Sequence, residues 1–354
     1  MQKTIKGHRL GLCSALVALV TAGIGLPNAL SNSNPSDKAE KWRALHLLNY
    51  NTDSNLETLA GQIPGLAQIG INVLILEVDY SYSFQSHPEL RQGTQPITKD
   101  GARRFADVCR KNGIKLIPEF QSLGHQSWKQ TTYPLLKVYP ELDLTPGAFP
   151  NNEGIYCREW NPLDPRVNKI VFKLMDEIID AFDAKALHVG MDEVFLLGSE
   201  RSPATMGKNP AELFAKVVND LHRHLVTERR VEMLMWGDRL FDANKYNWSE
   251  WEGAKNGTAA AVDMIPRDII VCPWHYELMD GYPSVPMLLE KGFRVLPASY
   301  SKVDASNALI AYCLAHDSPK LLGHLFTTWS GMIDNLPEYP PMVEGLKALR
   351  AAGH

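Results

Sequence analysis

The chain has 354 residues, 45% of them apolar and 21% charged, with a formal charge of −4. That balance is globular and excludes a disordered, collagenous or disulfide-framework chain. A pI near 6.3 leaves no basic footprint, so no nucleic-acid partner is expected.

The first element is a targeting segment. Lys3, Lys6 and Arg9 precede an apolar run over 10–26, followed by small and polar residues, the pattern of a secretory signal peptide. Residues 1–30 are expected to form it, with cleavage after Ala22 or Ala29 and a short linker over 31–41. An uncleaved anchor is the alternative, since an apolar run of ~17 residues is at the short limit for a membrane span. The glycines and Pro27 favour cleavage. The expectation is therefore a periplasmic or extracellular protein with no stable membrane insertion once the signal is removed. Cys109, Cys157, Cys272 and Cys313 then remain, without CxxC spacing. No zinc site is expected, and buried free thiols are favoured over a disulfide.

From Trp42 onward, short apolar runs alternate with amphipathic stretches. Strands are expected at 44–49, 72–78, 115–119, 186–191, 232–236, 269–274, 293–297 and 324–329. Between them, Val167, Ile170, Val171, Leu174, Ile178 and Phe182 share one helical face, as do Leu213, Phe214, Val217, Val218, Leu221 and Leu225. A helix over 100–112 ends at Gly113, where a C-cap glycine belongs. The connection after Trp236 has the weakest helical period. Eight βα units predict an α/β fold, a single-domain (β/α)8 TIM barrel over 42–354. An open doubly wound sheet would prefer a glycine-rich turn after the first strand, and residues 49–53 read Asn-Tyr-Asn-Thr-Asp.

In such a barrel the active site lies at the carboxyl ends of the strands. Asp79, Glu119, His125, Asp192, Glu193, Trp236, Asp238, Trp274, Tyr300 and Trp329 all fall there. Carboxylates supply acid and base chemistry, and aromatic faces stack on pyranose C–H faces. Any one tryptophan has an ordinary place in a core; several at strand ends point to a sugar site. Within it, Asp192-Glu193 is the strongest signal. Neighbours at a strand end project in opposite directions and take different jobs, and two close anions raise the pKa of one of them.

His188-Val189-Gly190-Met191-Asp192-Glu193 resembles the His-x-Gly-x-Asp-Glu signature of the family 20 β-N-acetylhexosaminidases. Pro118-Glu119-Phe120-Gln121-Ser122-Leu123-Gly124-His125 is similar to that family's Pro-Glu-x-x-x-x-Gly-His segment. Leu76-Glu77-Val78-Asp79-Tyr80 and Asp192-Glu193-Val194-Phe195-Leu196-Leu197-Gly198 resemble the hexosaminidase D branch. The resemblance covers the barrel and leaves no room for the small domain that precedes it in many relatives. It implies an exo-acting hydrolase of terminal β-linked N-acetylhexosamines, retaining and substrate-assisted; no cofactor is expected, and without HxH or HExxH spacing no metal is expected either. By that resemblance Asp192 orients the acetamido group, Glu193 is the acid and base, and His125 with Asp79 behind it tunes the acid. Trp236, Trp274 and Trp329 wall the acetamido pocket and Tyr300 bonds its carbonyl. Glu119 and Asp238 count with the substrate-binding residues.

Departures from the family pattern leave the sugar open. Residues 45–50 hold no arginine for hydroxyl binding, and the residue two past Tyr300 is Lys302 rather than a carboxylate. Both leave gluco or galacto preference undecided. Met191 stands where many relatives have a small residue and is expected to narrow the pocket. Two other readings stay open: a two-carboxylate glycosidase pairing Glu193 with Glu119 or Asp238, and a non-catalytic glycan-binding barrel.

Overall fold

The computed structural model describes residues 40–148, 154–316, 318–329 and 331–352. The expected signal segment, and all of the linker but its last two residues, lie outside these. Eight strand positions follow in chain order, all paired in parallel: Trp42–Leu47, Val73–Glu77, Lys115–Ser122, Ala186–Gly190, Glu232–Trp236, Ile270–Cys272, a seventh in two pieces, and Gly323–Thr327. The seventh is broken around Pro297. Arg294–Val295 pairs with the sixth strand and Ala298–Ser299 with the eighth, and the first strand pairs with the eighth from Trp42 opposite Gly323. Single bridges from Trp274 to Ala298 and from Val295 to Leu321 tie each piece to the other neighbour, so the curled sheet meets itself. The (β/α)8 expectation is met.

The period of two along each strand separates two cores. Ala44, Val73, Ile75, Ile117, Ala186, Leu234, Ile270 and Leu325 point inward and fill the barrel. Their neighbours Leu45, Leu74, Leu76, Leu187, Met233, Val271 and Phe326 face outward against the helices. Below the inner core, Glu232 pairs with Lys115 (2.8 Å) and Arg294 (2.6 Å).

The helices start where side chains satisfy the first free N–H groups. Thr98 accepts from Gly101 ahead of Lys99–Lys111, Asp164 from Arg166 ahead of Pro165–Phe182, and Asn209 from Ala211 ahead of Pro210–His222. The weak period after Trp236 has its counterpart here. That connection holds only short turns, at Asp238–Leu240, Ala243–Tyr246 and Thr258–Asp263. The four cysteines of the described residues are free and buried.

Candidate active site

One layer above the apolar barrel core, the inward positions turn polar. Glu119 is 1% exposed. Its Oε2 lies 2.8 Å from His46 Nε2, its Oε1 lies 3.0 Å from His188 Nδ1, and the Trp236 indole N–H donates to Oε1 at 3.1 Å. Burial by itself would raise this carboxyl, but the charges of His188 and His46 overcome it and hold Glu119 below the usual carboxylate range.

Asp192 and Glu193 stand above this layer, just past the fourth strand. His125 Nε2 lies 3.0 Å from Glu193 Oε2 and 3.4 Å from Asp192 Oδ2, so one imidazole serves both carboxylates. Burial pushes His125 down, yet the Asp192 charge and the bonds to both acids raise it well above its ordinary value. Burial likewise pushes Asp192 up, and His125 reverses that to leave its carboxyl lowered. Gln121 completes the cluster. Its side-chain amide donates to Asp192 Oδ1 at 2.5 Å, while its backbone N–H donates to Asp79 Oδ1 at 2.7 Å. Burial lifts Asp79 to about 7, against the Gln121 bond and the charge of His125. The link between Asp79 and His125 is thus one of charge.

The backbone around these groups is strained. Asp79, His125 and Glu193 all have left-handed φ values, of 46°, 52° and 51°. Each such non-glycine residue costs roughly 1–2 kcal/mol, and such conformations persist where surrounding contacts over-determine them, often at functional sites. Two glycines make the approach possible. A Cβ on Gly190 would lie 1.8 Å from Gln121 Oε1, and one on Gly124 would lie 2.8 Å from the Asp192 carbonyl oxygen. Met191, with φ 76°, is fully buried in the outer core. The expectation that it narrows the pocket is corrected: the left-handed turn carries it away from the barrel axis.

The Glu193 loop is held by buried groups. Its backbone N–H donates to Asp238 Oδ2 at 2.9 Å, and the same oxygen accepts from Arg239 Nε at 2.6 Å. Asp238 is 1% exposed and lifted by burial to about 6. Glu159 Oε1 takes the Phe195 and Leu196 N–H groups at 2.6 and 2.7 Å. Both oxygens of Glu119, expected to bind substrate, have protein partners, whereas Asp238, expected to do the same, has its protein donors on Oδ2 and a buried Oδ1 with no protein partner among the described residues.

The expected aromatics form one wall. Trp236 and Trp329 lie 5.6 Å apart, and Trp274 stacks on Tyr276 at 4.8 Å. The Trp329 N–H donates to the Tyr276 hydroxyl at 2.7 Å, and Tyr300 meets Tyr276 edge-on at 5.6 Å. Burial raises the Tyr276 hydroxyl well above its usual value, and the charges of Asp192 and Glu193 add to this.

Sequence reasoning missed Gln121, Tyr276 and Glu159. The first two carry a signal: Gln121 is two residues past Glu119 and Tyr276 two past Trp274, on the same alternating face. Glu159 comes from a remote loop with no such signal. The barrel histidines have protein partners: His275 has Ser284 at 2.7 Å and His324 has Ser299 at 2.8 Å. Among the described residues, His125, Asp192 and Glu193 are the grouping able to hold a metal ion, with ligand atoms within 4.8 Å of one another.

The model of the glycosyl hydrolase family 20 catalytic domain matches residues 62–338. The chain is 23% identical over 267 residues to a β-hexosaminidase of Emericella nidulans, covering 69% of this chain and 40% of that one. It is 22% identical over 210 residues to human hexosaminidase D, covering 57% of this chain and 40% of that one. Among solved structures, a chitobiase of Flavobacterium johnsoniae superposes with a TM-score of 0.62 at 18% identity, over 87% of this chain and 48% of that one. The chain thus spans less than half the length of these three proteins.

Proposed function

The chain belongs to glycosyl hydrolase family 20, and from that premise we propose that it is an exo-acting, retaining β-N-acetylhexosaminidase. The observation that carries this reading is the Asp192–Glu193 pair gathered on His125 beside a wall of Trp236, Trp274, Trp329 and Tyr276.

In the proposed reaction the 2-acetamido oxygen of the terminal sugar attacks its own anomeric carbon as the bond to the leaving oxygen breaks. An intramolecular nucleophile has a high effective concentration and removes the need for an enzymic one. Glu193 delivers its proton to the leaving oxygen. Asp192, kept ionised by His125, accepts the acetamido N–H and stabilises the positive oxazolinium that forms. Glu193 then takes a proton from the water that reopens the ring, and the β-configuration is retained. Tyr276 and Tyr300 are both at hand for the acetamido carbonyl, and Tyr276 is the more firmly fixed, through Trp329.

An ordinary two-carboxylate mechanism would recruit Glu119 or Asp238, but each is 1% exposed and engaged by protein donors. A thiazoline mimic of the oxazolinium tests the proposal. Strong competitive inhibition, with the β-anomer as first product by NMR, is expected; indifference to the mimic would point to an enzymic nucleophile. The basic-then-apolar start of the chain supports export to the periplasm or exterior as part of the same proposal.

A further inference from the structure

Along the second strand, Val73–Glu77, the inward positions are Val73, Ile75 and Glu77. The first two belong to the apolar filling of the barrel, so the third is a carboxyl set directly on that core. Parallel register puts Glu77 opposite Glu119 of the third strand, two acids side by side in one layer. Their surroundings differ. Glu119 is bonded to His46, His188 and Trp236 and closed off from solvent. Glu77 is the one partly exposed residue of its strand, and among the described residues no hydrogen bond or ion pair reaches its carboxyl. Ile75 beneath it and Leu76 and Val78 beside it are buried, so its open side is the barrel mouth. Burial raises this carboxyl well above the usual range, and the charges of Asp79 and Glu119 add to that while His125 opposes it. A carboxyl held there without partners is costly, and a ligand that bonds to it accounts for its place.

The chemistry of the pocket leaves one class of group to meet it. In the proposed reaction Asp192 takes the acetamido N–H and Glu193 serves the leaving oxygen. Trp236 and Trp274, from the fifth and sixth strands, face Glu77 across the barrel. What remains on the terminal sugar is its hydroxyls. Glu77 lies one layer below Asp192 and Glu193, and a pyranose with its anomeric carbon at Glu193 turns the opposite ring carbon, C4, toward that layer. Hydroxyls donate and accept alike, so they suit a carboxyl with or without its proton. Residues 45–50 hold no arginine and Lys302 stands two past Tyr300, so neither position supplies the guanidinium or carboxylate that this task requires.

Resting on the function proposed above, we propose that Glu77 is a specificity-determining residue of this chain, hydrogen-bonding the C4 hydroxyl of the terminal sugar. The test compares kcat/KM for an aryl β-N-acetylhexosaminide, gluco or galacto according to which reacts faster, with that for its 4-deoxy analogue. Both are measured in wild type, Glu77→Ala and Glu77→Gln. Wild type should lose about tenfold or more on the deoxy sugar, because a site built around a hydroxyl rejects the analogue that lacks it. Glu77→Ala should lose a similar factor on the parent sugar and less than about threefold on the deoxy one, since hydroxyl and partner are removed as a unit. Glu77→Gln, close in size, should show the same asymmetry in smaller degree, and serves where the alanine variant does not fold. Equal losses on both substrates, or a wild type indifferent to the C4 hydroxyl, would overturn the assignment while leaving the hydrolase reading intact. A wild type inert on every β-N-acetylhexosaminide would overturn both.

Discussion

The backbone N–H of Glu193 donates to Oδ2 of Asp238 at 2.9 Å, tying a residue with φ 51° to a carboxylate of the neighbouring strand end. Strain at Glu193 is held by that bond, and the Arg239 pairing keeps the acceptor in place. Asp238→Ala should leave the N–H unmet and let Glu193 relax from its pose. Losing a charge-assisted bond of about 1.5–3 kcal/mol corresponds to a kcat about 10–100-fold lower. The unpaired Arg239 should also lower Tm. Unchanged kcat in a folded variant would show that Asp238 does not position the acid.

Gly190→Ala should act at a distance from substrate. The added Cβ collides with Gln121 and meets a left-handed φ of 64°. Displacing Gln121 removes the donor to Asp192 Oδ1. Activity should therefore fall about as far as in Gln121→Ala, with an added stability cost of roughly 1–2 kcal/mol for the backbone. Steady-state kinetics beside urea denaturation separates the two effects.

His125→Gln removes the positive charge that holds Asp192 low. The Asp192 carboxyl should rise, moving the acid limb of the kcat/KM profile to higher pH. The stability sign follows from the raised His125 value. Its contribution is fully present below the ordinary imidazole value of 6.5 and lost as pH rises through the higher folded value. The variant should accordingly lose stability most on the acid side. A pH profile superimposable on wild type would contradict this role.

Glu119→Gln tests the buried layer under the site. Breaking a buried ionic cluster from one side costs about 3–5 kcal/mol, read from denaturant unfolding at neutral pH. Because the folded carboxyl is depressed, its stabilisation exists above the ordinary value of 4.5 and fades as pH falls. Wild type and variant should therefore converge in acid. A constant difference across pH would mean that Glu119 acts by packing alone.

Most of the barrel was legible because period-two and period-3.6 apolar patterns survive in its buried strands and amphipathic helices. The expected seventh strand over 293–297 is split at Pro297, which lacks an N–H for the ladder. The third strand runs to Ser122 rather than 119, and that extension is what brings Gln121 to Asp192. The carboxylate pair and the three tryptophans were legible from strand-end position. The supports Asp238, Arg239 and Glu159 were not legible as supports, since a side chain bonding a backbone N–H of another loop leaves no periodic trace. Asp238 reads as a substrate ligand from its position; in the structure its Oδ2 bonds two protein groups, which the sequence did not signal, and its buried Oδ1 has no protein partner among the described residues.

The most direct measurement is hydrolysis of aryl β-N-acetylglucosaminide and β-N-acetylgalactosaminide, beside the matching glucoside and galactoside, by wild type and Glu193→Gln. Turnover is expected to be confined to the N-acetyl substrates and reduced by about 10²–10⁴-fold in the variant, the usual scale of general acid–base catalysis. Comparable turnover of the plain glycosides, or a Glu193→Gln variant as fast as wild type, would contradict it.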